Sequence, residues 1–412
     1  MKPKLLVLSS TFPRWKDDTD PPFVYELSRR LTGTFEVFVH APHYPGAKVD
    51  EIMDGMVVHR FRYFFSPLER LAGSGGMLPT LRHNRIYYCL IPFFLLSQLF
   101  SLCWMVYKKR PDVVHAHWLL PQGLWAVVLK KVFRVPVHVT AHGADVFGLK
   151  GRIFRKIKGF VLQNADGITA VSKALGDVLV SFGACKEKIE IIPMGIDRTL
   201  FNPGNLDPAV RKKFGIEDVF LLYVGRLTEK KGVKYLIDAM PEVMKRYPRV
   251  KLLIVGDGEQ KKELENKVAR LGLTEKVIFA GAVPNNHLPA IYATADIFIG
   301  PSIEAKGGDR EGFGLTFVEA AMSGCFVIGT DTGGIGDIIE DGVTGFLVPE
   351  KDSRALAEKI IYALDNWKNT KKIKESGRRI CRKSFDWQII AGKYKKIIGD
   401  LLSGSPGIFG AK

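Results

Sequence analysis

Short, mainly apolar runs that end in glycine- or histidine-bearing loops recur along the whole of this 412-residue chain, and that rhythm restricts its fold more than any other feature. Leu5–Leu8, Phe35–His40, Met56–Phe61, Asp112–His117 and Val135–Thr140 form one series, and Val219–Val224, Val250–Val255, Val277–Ala280, Asp296–Gly300 and Phe326–Gly329 a second. Each is too short for a buried helix and too continuously apolar for a strand with one wet face, so each reads as a strand covered on both sides. Longer amphipathic stretches such as Phe23–Leu31 separate them. Strand, loop and helix in repetition mean parallel sheets joined by helical crossovers. Asn202-Pro-Gly-Asn-Leu-Asp-Pro208 reads as a linker, so the expectation is an α/β protein of two doubly wound domains, residues 1–200 and 201–385.

Length allows this, because 412 residues suffice for two full cores. The net charge of +17 is uneven: residues 1–200 carry 27 basic against 16 acidic side chains. Such a surplus favours anionic partners, whether nucleic acid, an acidic membrane surface or phosphorylated substrates. The five cysteines are scattered without C-x-x-C pairing, which argues against a disulfide framework and a zinc site and points to a reducing compartment. Leu5–Leu8 is too short for a leader and suits a first buried strand.

The most informative stretch for chemistry is Glu311-Gly-Phe-Gly-Leu-Thr-Phe-Val-Glu319. Gly312 and Gly314 leave backbone open to a ligand, and a helix starting near Gly314 aims free N–H groups at an anion, most simply a phosphate. Glu319 then lies among apolar helix residues and needs donors, which ribose or sugar hydroxyls supply. In a continuous helix Glu311 and Glu319 would be about 12 Å apart, outside the roughly 5–9.5 Å of a glycosidase pair. They read as two clamps on one extended ligand. Gly225-Arg-Leu-Thr-Glu-Lys-Lys-Gly232 carries Arg226 and Lys231 from a strand into a helix, a geometry suited to a diphosphate. Neither half has a G-x-G-x-x-G run after its first strand, which argues against a nicotinamide enzyme.

In the first half, His115 and His117 share one face of a strand, as a pocket lining, as satisfied core histidines or as a metal pair with no evident third ligand. His142-Gly143 follows the next strand, where open α/β sheets meet ligands. Asp17–Asp20 reads as a solvated loop and Ala72–Gly76 as a closing loop or a spacer. Ile86–Tyr107 has no charged residue between basic flanks; it is a helix at a membrane interface, a buried crossover or a span. Lys150, Arg152, Arg155, Lys156 and Lys158, interleaved with Ile153, Phe154 and Ile157, make either a basic amphipathic helix for anionic lipid or a solvated surface helix.

Taken in order, Gly225-Arg226 with Lys231-Gly232, Gly256-Asp-Gly258, Ala295-Asp296, Pro301-Ser302, Glu311 with Glu319, Gly333-Gly334 and Gly342 to Pro349 resemble a family 4 retaining glycosyltransferase of the GT-B fold. His142-Gly143, Val171-Ser172 and Pro193-Met-Gly-Ile-Asp197 carry the resemblance into the first half. It implies two Rossmann-like domains facing a cleft, an acceptor domain and a donor domain, with a final helix after Phe385, residues 386–412, crossing back to the first. It further implies a nucleoside-diphosphate sugar, GDP-mannose or a UDP-hexose, as co-substrate and no metal or other cofactor. Arg226 and Lys231 would hold the diphosphate beside Gly225 and Gly256, and Glu319 the ribose. Glu311 and the amides of Gly312, Phe313, Gly314 and Leu315 would hold the sugar. His142 would act near the reacting carbon, so that His142, Arg226, Lys231 and Glu311 form the catalytic set. Three features depart from the pattern: Thr19-Asp-Pro-Pro-Phe23 where a Gly-Gly is common, Met194 where asparagine is common, and the polar stretch Glu304–Arg310.

The expectation is thus a cytoplasmic hexosyltransferase, peripheral to the inner face of the membrane, that moves sugar to a lipid-linked or glycan hydroxyl. One rival is a soluble transferase making a small glycoside. Another, a nucleic-acid-binding protein, rests on charge alone and lacks the aromatic stacking platform, so no nucleic-acid partner is expected.

Overall fold

The computed structural model describes the chain except residues 16–17, 19–21, 73–75, 78–79, 82–83 and 405–412. The acidic run 17–20, the loop 19–23 and the glycine run 72–76 therefore lie largely outside the described residues. The chain divides into two compact units, Met1–Gly195 with Trp387–Lys412, and Ile196–Asp386. Residues 196–200, which the linker signal assigns to the first domain, thus belong to the second. Their backbone explains it, since Ile196 N–H donates to Phe385 at 2.7 Å and Ile196 bridges Asp386.

The first unit is built on β1 (Lys4–Leu8), β2 (Glu36–Pro42), β3 (Asp50–Met53), β4 (Met56–Phe61), β5 (Val113–His117), β6 (Val137–Ala141), β7 (Gly167–Ala170) and β8 (Ile189–Ile191). They run in the order β3-β4-β2-β1-β5-β6-β7-β8, all parallel except the edge pair β3 and β4. β3 is absent from the strand series read from the sequence, which passes from Phe35–His40 directly to Met56–Phe61. Asp54 and Gly55 both take positive φ, at 44° and 79°, the tight hairpin turn that an Asp-Gly pair favours. The last helix, Trp387–Leu402, buries Trp387, Ile390, Ala391, Tyr394, Ile397 and Ile398 on one face. It docks on this unit: the Arg30 guanidinium lies 5.5 Å over the Trp387 ring, and the Tyr394 hydroxyl is 3.3 Å from Thr140 Oγ1.

Helix Ile91–Lys109 follows a 3-10 segment, Arg85–Leu90, and Pro92 sits in its first turn, where a missing N–H costs nothing. One face, with Phe94, Gln98, Leu102, Met105 and Val106, is buried, and Phe94 packs edge-on to Phe61 and Tyr63 at 5.1 Å.

The second unit carries β9 (Phe220–Val224), β10 (Lys251–Val255), β11 (Val277–Gly281), β12 (Ile297–Gly300), β13 (Phe326–Thr330) and β14 (Phe346–Val348). All pairs are parallel, in the order β11-β10-β9-β12-β13-β14. The order reverses between β9 and β12, and in such sheets ligands bind beyond the carboxyl ends of the strands at that reversal.

Candidate functional site

Two loops leave the reversal point of the second sheet, residues 225–232 after β9 and residues 301–314 after β12. Gly232 has φ +62°, and a Cβ there would lie 1.9 Å from the Pro301 carbonyl oxygen, so only glycine lets the loops meet. Ile303 N–H donates to the Lys230 carbonyl at 2.8 Å, and the Tyr223 hydroxyl donates to the Arg226 carbonyl at 3.0 Å. Sequence reasoning missed Tyr223, which inside β9 reads as one more core aromatic.

These ties bring Lys231 onto Glu311: the ammonium donates directly to the carboxylate Oε2. Burial alone would raise the Glu311 pKa, but Lys231, Lys230 and Arg226 together outweigh it and hold it at about 2. Glu311 is also fixed from behind. Gly334 N–H donates to its carbonyl at 3.1 Å, and Gly333, at φ +58°, leaves no room for a Cβ. The polar stretch 304–310 folds as a closed turn, with Arg310 Nε on Glu304 at 2.7 Å and Lys230 on Asp309 at 3.2 Å. It braces the Glu311 loop against the lysines.

Helix Leu315–Ser323 begins after Gly314, which takes φ 101° and provides no side-chain cap, so its positive end is open to an anion. Phe313 turns inward onto Phe385, with ring centroids 5.5 Å apart, so its side chain is taken up in packing. Half-buried Glu319 accepts from the Tyr292 hydroxyl at 2.8 Å. Burial pushes its pKa up to about 7, against the opposing effects of Tyr292 and Lys231. Tyr292 had no sequence signal beyond the rule that a buried phenol finds a partner. The structure therefore places Gly225, Arg226, Lys231, Glu311 to Leu315 and Glu319 in one unit. Gly256 stands apart in role: its N–H donates to Gly281 at 2.8 Å, and a Cβ there would strike the Gly225 carbonyl at 2.0 Å. It packs the Gly225 loop and has no amide left for a ligand.

In the first unit, β5 and β6 deliver His117 and His142 side by side. His117 Nδ1 and His142 Nε2 are 3.0 Å apart. The His142 ring packs against both Phe23 and Trp118, with centroids 5.0 and 4.9 Å away, and those two rings also touch each other at 5.9 Å. Asp145, absent from the sequence reading, accepts from the backbone N–H of Leu119, Gly143 and His142 at 2.7, 3.0 and 3.2 Å and so holds the turn. Close packing keeps His142 neutral, its pKa lowered to about 3. His115 Nε2 pairs with Thr140 Oγ1 at 2.8 Å inside the core, while its Nδ1 has no partner among the described residues, so it follows the core alternative of the three with one nitrogen left bare.

Residues 22–200 match the family described as Glycosyltransferase Family 4, and residues 207–380 match Glycosyl transferases group 1. The chain is 29% identical over 290 residues to the GDP-mannose-dependent alpha-(1-6)-phosphatidylinositol monomannoside mannosyltransferase of Mycolicibacterium smegmatis, covering 69% of this chain and 74% of the relative. It is 28% identical over 291 residues to the glycogen synthase of Mycobacterium tuberculosis, covering 68% and 67%. Among solved structures, Anabaena HepE in complex with UDP-glucose superposes with a TM-score of 0.75 at 20% identity, over 96% of this chain and 99% of that one. Sucrose-phosphate synthase from Thermosynechococcus elongatus gives 0.79 at 21% identity over 98% and 100%. The two structures share the fold of this chain.

Proposed function

The chain belongs to the family 4 glycosyltransferases, and on that premise we propose that it transfers a hexose from a nucleoside-diphosphate sugar to a hydroxyl of a lipid-linked or glycan acceptor. The donor is read as GDP-mannose or a UDP-hexose, since the Mycolicibacterium relative is named for the first and HepE was solved with UDP-glucose. The observation that carries the reading is the Lys231–Glu311 pair, with Arg226 in the same loop, at the reversal point of a parallel sheet.

Loss of the sugar develops negative charge on the diphosphate. Arg226, Lys231 and the open end of helix Leu315–Ser323 are preorganised to stabilise it, so the proposed chemistry calls for no metal. Glu311, ionised throughout the working range, pairs with Lys231 and accepts from sugar hydroxyls. Glu319 accepts from the ribose. With retention, the anomeric C–O bond to phosphate breaks on the face where the acceptor C–O bond forms. The acceptor's proton passes to the departing phosphate oxygen, and Glu311 forms no covalent bond.

Calorimetry with a panel of nucleotide sugars tests this. One nucleotide class should bind, and Glu319→Ala and Arg226→Ala should each weaken it at least tenfold. Transfer should be unchanged by a chelator. Because Glu319 titrates at about 7 and only its ionised form accepts from two hydroxyls, affinity should fall about tenfold from pH 8 to pH 6. A nucleotide sugar has no phosphate titrating there, so the slope should vanish in Glu319→Ala. A folded protein that binds none of the panel refutes the reading.

We further propose a seat on the cytoplasmic face of an anionic membrane. Helix Arg85–Lys109 is long and apolar enough to cross a bilayer, yet 33% of its apolar stretch is buried, and it joins two strands of one sheet. Its outer face presents Phe93, Leu96, Phe100, Trp104 and Tyr107, each 47 to 72% exposed. Beside it lies helix Leu124–Phe133, and next to that helix Arg152–Asn164, which exposes Ile153, Phe154, Arg152, Arg155 and Lys156. Lys158 is corrected out of the cationic set: it is buried, its ammonium donating to the carbonyls of Val146 and Leu149 at 2.7 and 2.6 Å. Aromatics flanked by cations suit an anionic interface. In liposome flotation the protein should rise with anionic vesicles, and Phe100→Ser with Trp104→Ser should lower the bound fraction severalfold. Absence of binding would favour a water-soluble acceptor.

A further inference from the structure

We propose that His117 is a positioning residue for His142: its Nδ1–H donates to Nε2 of His142 and holds that ring in the tautomer protonated at Nδ1. The proposal rests on the reading of His142 as a group that meets the substrate. β5 and β6 are parallel neighbours with His117 opposite Thr140, so the chain two residues past Thr140 returns beside His117. The two ring nitrogens face each other at 3.0 Å, with ring centroids 5.2 Å apart and ring planes inclined by only 25°.

Both rings are neutral, because burial disfavours their charged forms. One proton therefore lies between the two facing nitrogens. Its owner follows from the far side of His117. That residue is fully buried, and its Nε2 has no hydrogen-bond partner among the described residues. A proton on Nε2 would be an orphaned buried donor, whereas a bare lone pair there is the less costly omission. The proton therefore sits on His117 Nδ1, and His142 Nε2 accepts it.

His142 then carries its own proton on Nδ1, which becomes its only donor. Phe23 and Trp118 pack against the ring, and Asp145 holds the backbone. The nitrogen that faces His142 Nε2 is His117 Nδ1, while His115 turns its Nε2 to Thr140 Oγ1. His142 is thereby set to give a hydrogen bond to a substrate oxygen as a neutral imidazole.

Isotope-labelled histidine and long-range proton–nitrogen correlation spectra report each ring's tautomer without turnover, and His142→Ala assigns the signal. The wild type should show His142 protonated at Nδ1. In His117→Phe the ring should move to the Nε2–H form that free imidazole prefers. There kcat should fall about ten- to hundredfold, with nucleotide-sugar affinity within twofold. His117→Asn, whose amide can donate from nearly the same place, should keep the tautomer and most of the rate. An Nε2-protonated His142 in the wild type overturns the proposal, as does an unchanged tautomer or kcat in His117→Phe. Should His117→Phe not fold, the wild-type spectrum and the Asn variant decide. Failure of the transferase reading shows separately, as no nucleotide sugar bound, and leaves the spectra to judge the tautomer.

Discussion

Lys231→Met lowers kcat/KM by about 10²–10³-fold. On the proposed reading it removes a cation that faces the departing diphosphate, and it takes from Glu311 the ammonium that donates to its carboxylate. The substitution also costs stability, about 3 kcal/mol, because an ionised carboxylate stays behind with its packing intact. Glu311→Gln should be gentler on stability and severe on activity. The double variant should be more stable than Lys231→Met alone, since the stranded charge is gone.

The pH dependence has a definite sign. Glu311 lies at about 2 in the folded protein against an ordinary 4.5, so its pKa is depressed. Its stabilisation is complete above about pH 4.5 and is lost as pH falls toward 2. Urea unfolding from pH 7 to pH 3 should show the gap between wild type and Lys231→Met narrowing in acid. A constant gap would mean that the pair contributes nothing electrostatic.

Gly232→Ala is the second large effect. Its Cβ would lie 1.9 Å from a backbone carbonyl, which cannot step aside as a side-chain tip can, and its φ of +62° adds strain for any other residue. We expect a loss of about 2–4 kcal/mol and a fall in kcat, because Lys231 precedes it directly. Gly307→Ala, where nothing lies within 4 Å, is the control and should be silent. Thermal unfolding and initial rates on the same samples check both. A Gly232→Ala protein with wild-type melting would show that the two loops are free to separate.

Much of the candidate donor side was legible because it is local. Glu311 and Glu319, the glycines between them and the loop from Gly225 to Gly232 are each contiguous, and strand-loop-helix periodicity says where such loops emerge. The partners that tune them were not legible. Tyr292 and Glu319 are 27 positions apart, and Tyr223 serves Arg226 from within a core strand. A buried tyrosine shows in sequence that it needs a partner but not which one it finds.

On the first unit, the alternation of side chains put His115 and His117 on one face, but it could not choose between a core, a pocket and a metal. That choice needed the order of strands, since β6 beside β5 brings Thr140 to His115 and His142 to His117. Lys158 and the aromatic stripe teach the same point from the surface. Composition made 86–107 apolar and 150–158 basic. Packing decided that Phe94 and Lys158 turn inward while Phe93, Phe100, Trp104, Ile153 and Arg155 turn out.

The sequence by itself determined two α/β units with parallel sheets and the loops that carry the candidate donor-site residues, because strand burial, helix starts and glycine turns depend on neighbours along the chain. Only the tertiary structure decided which charges pair, which histidine meets which, and which face of a helix stays exposed. Those depend on residues that sequence distance separates and that the sheet order alone brings within a few ångströms.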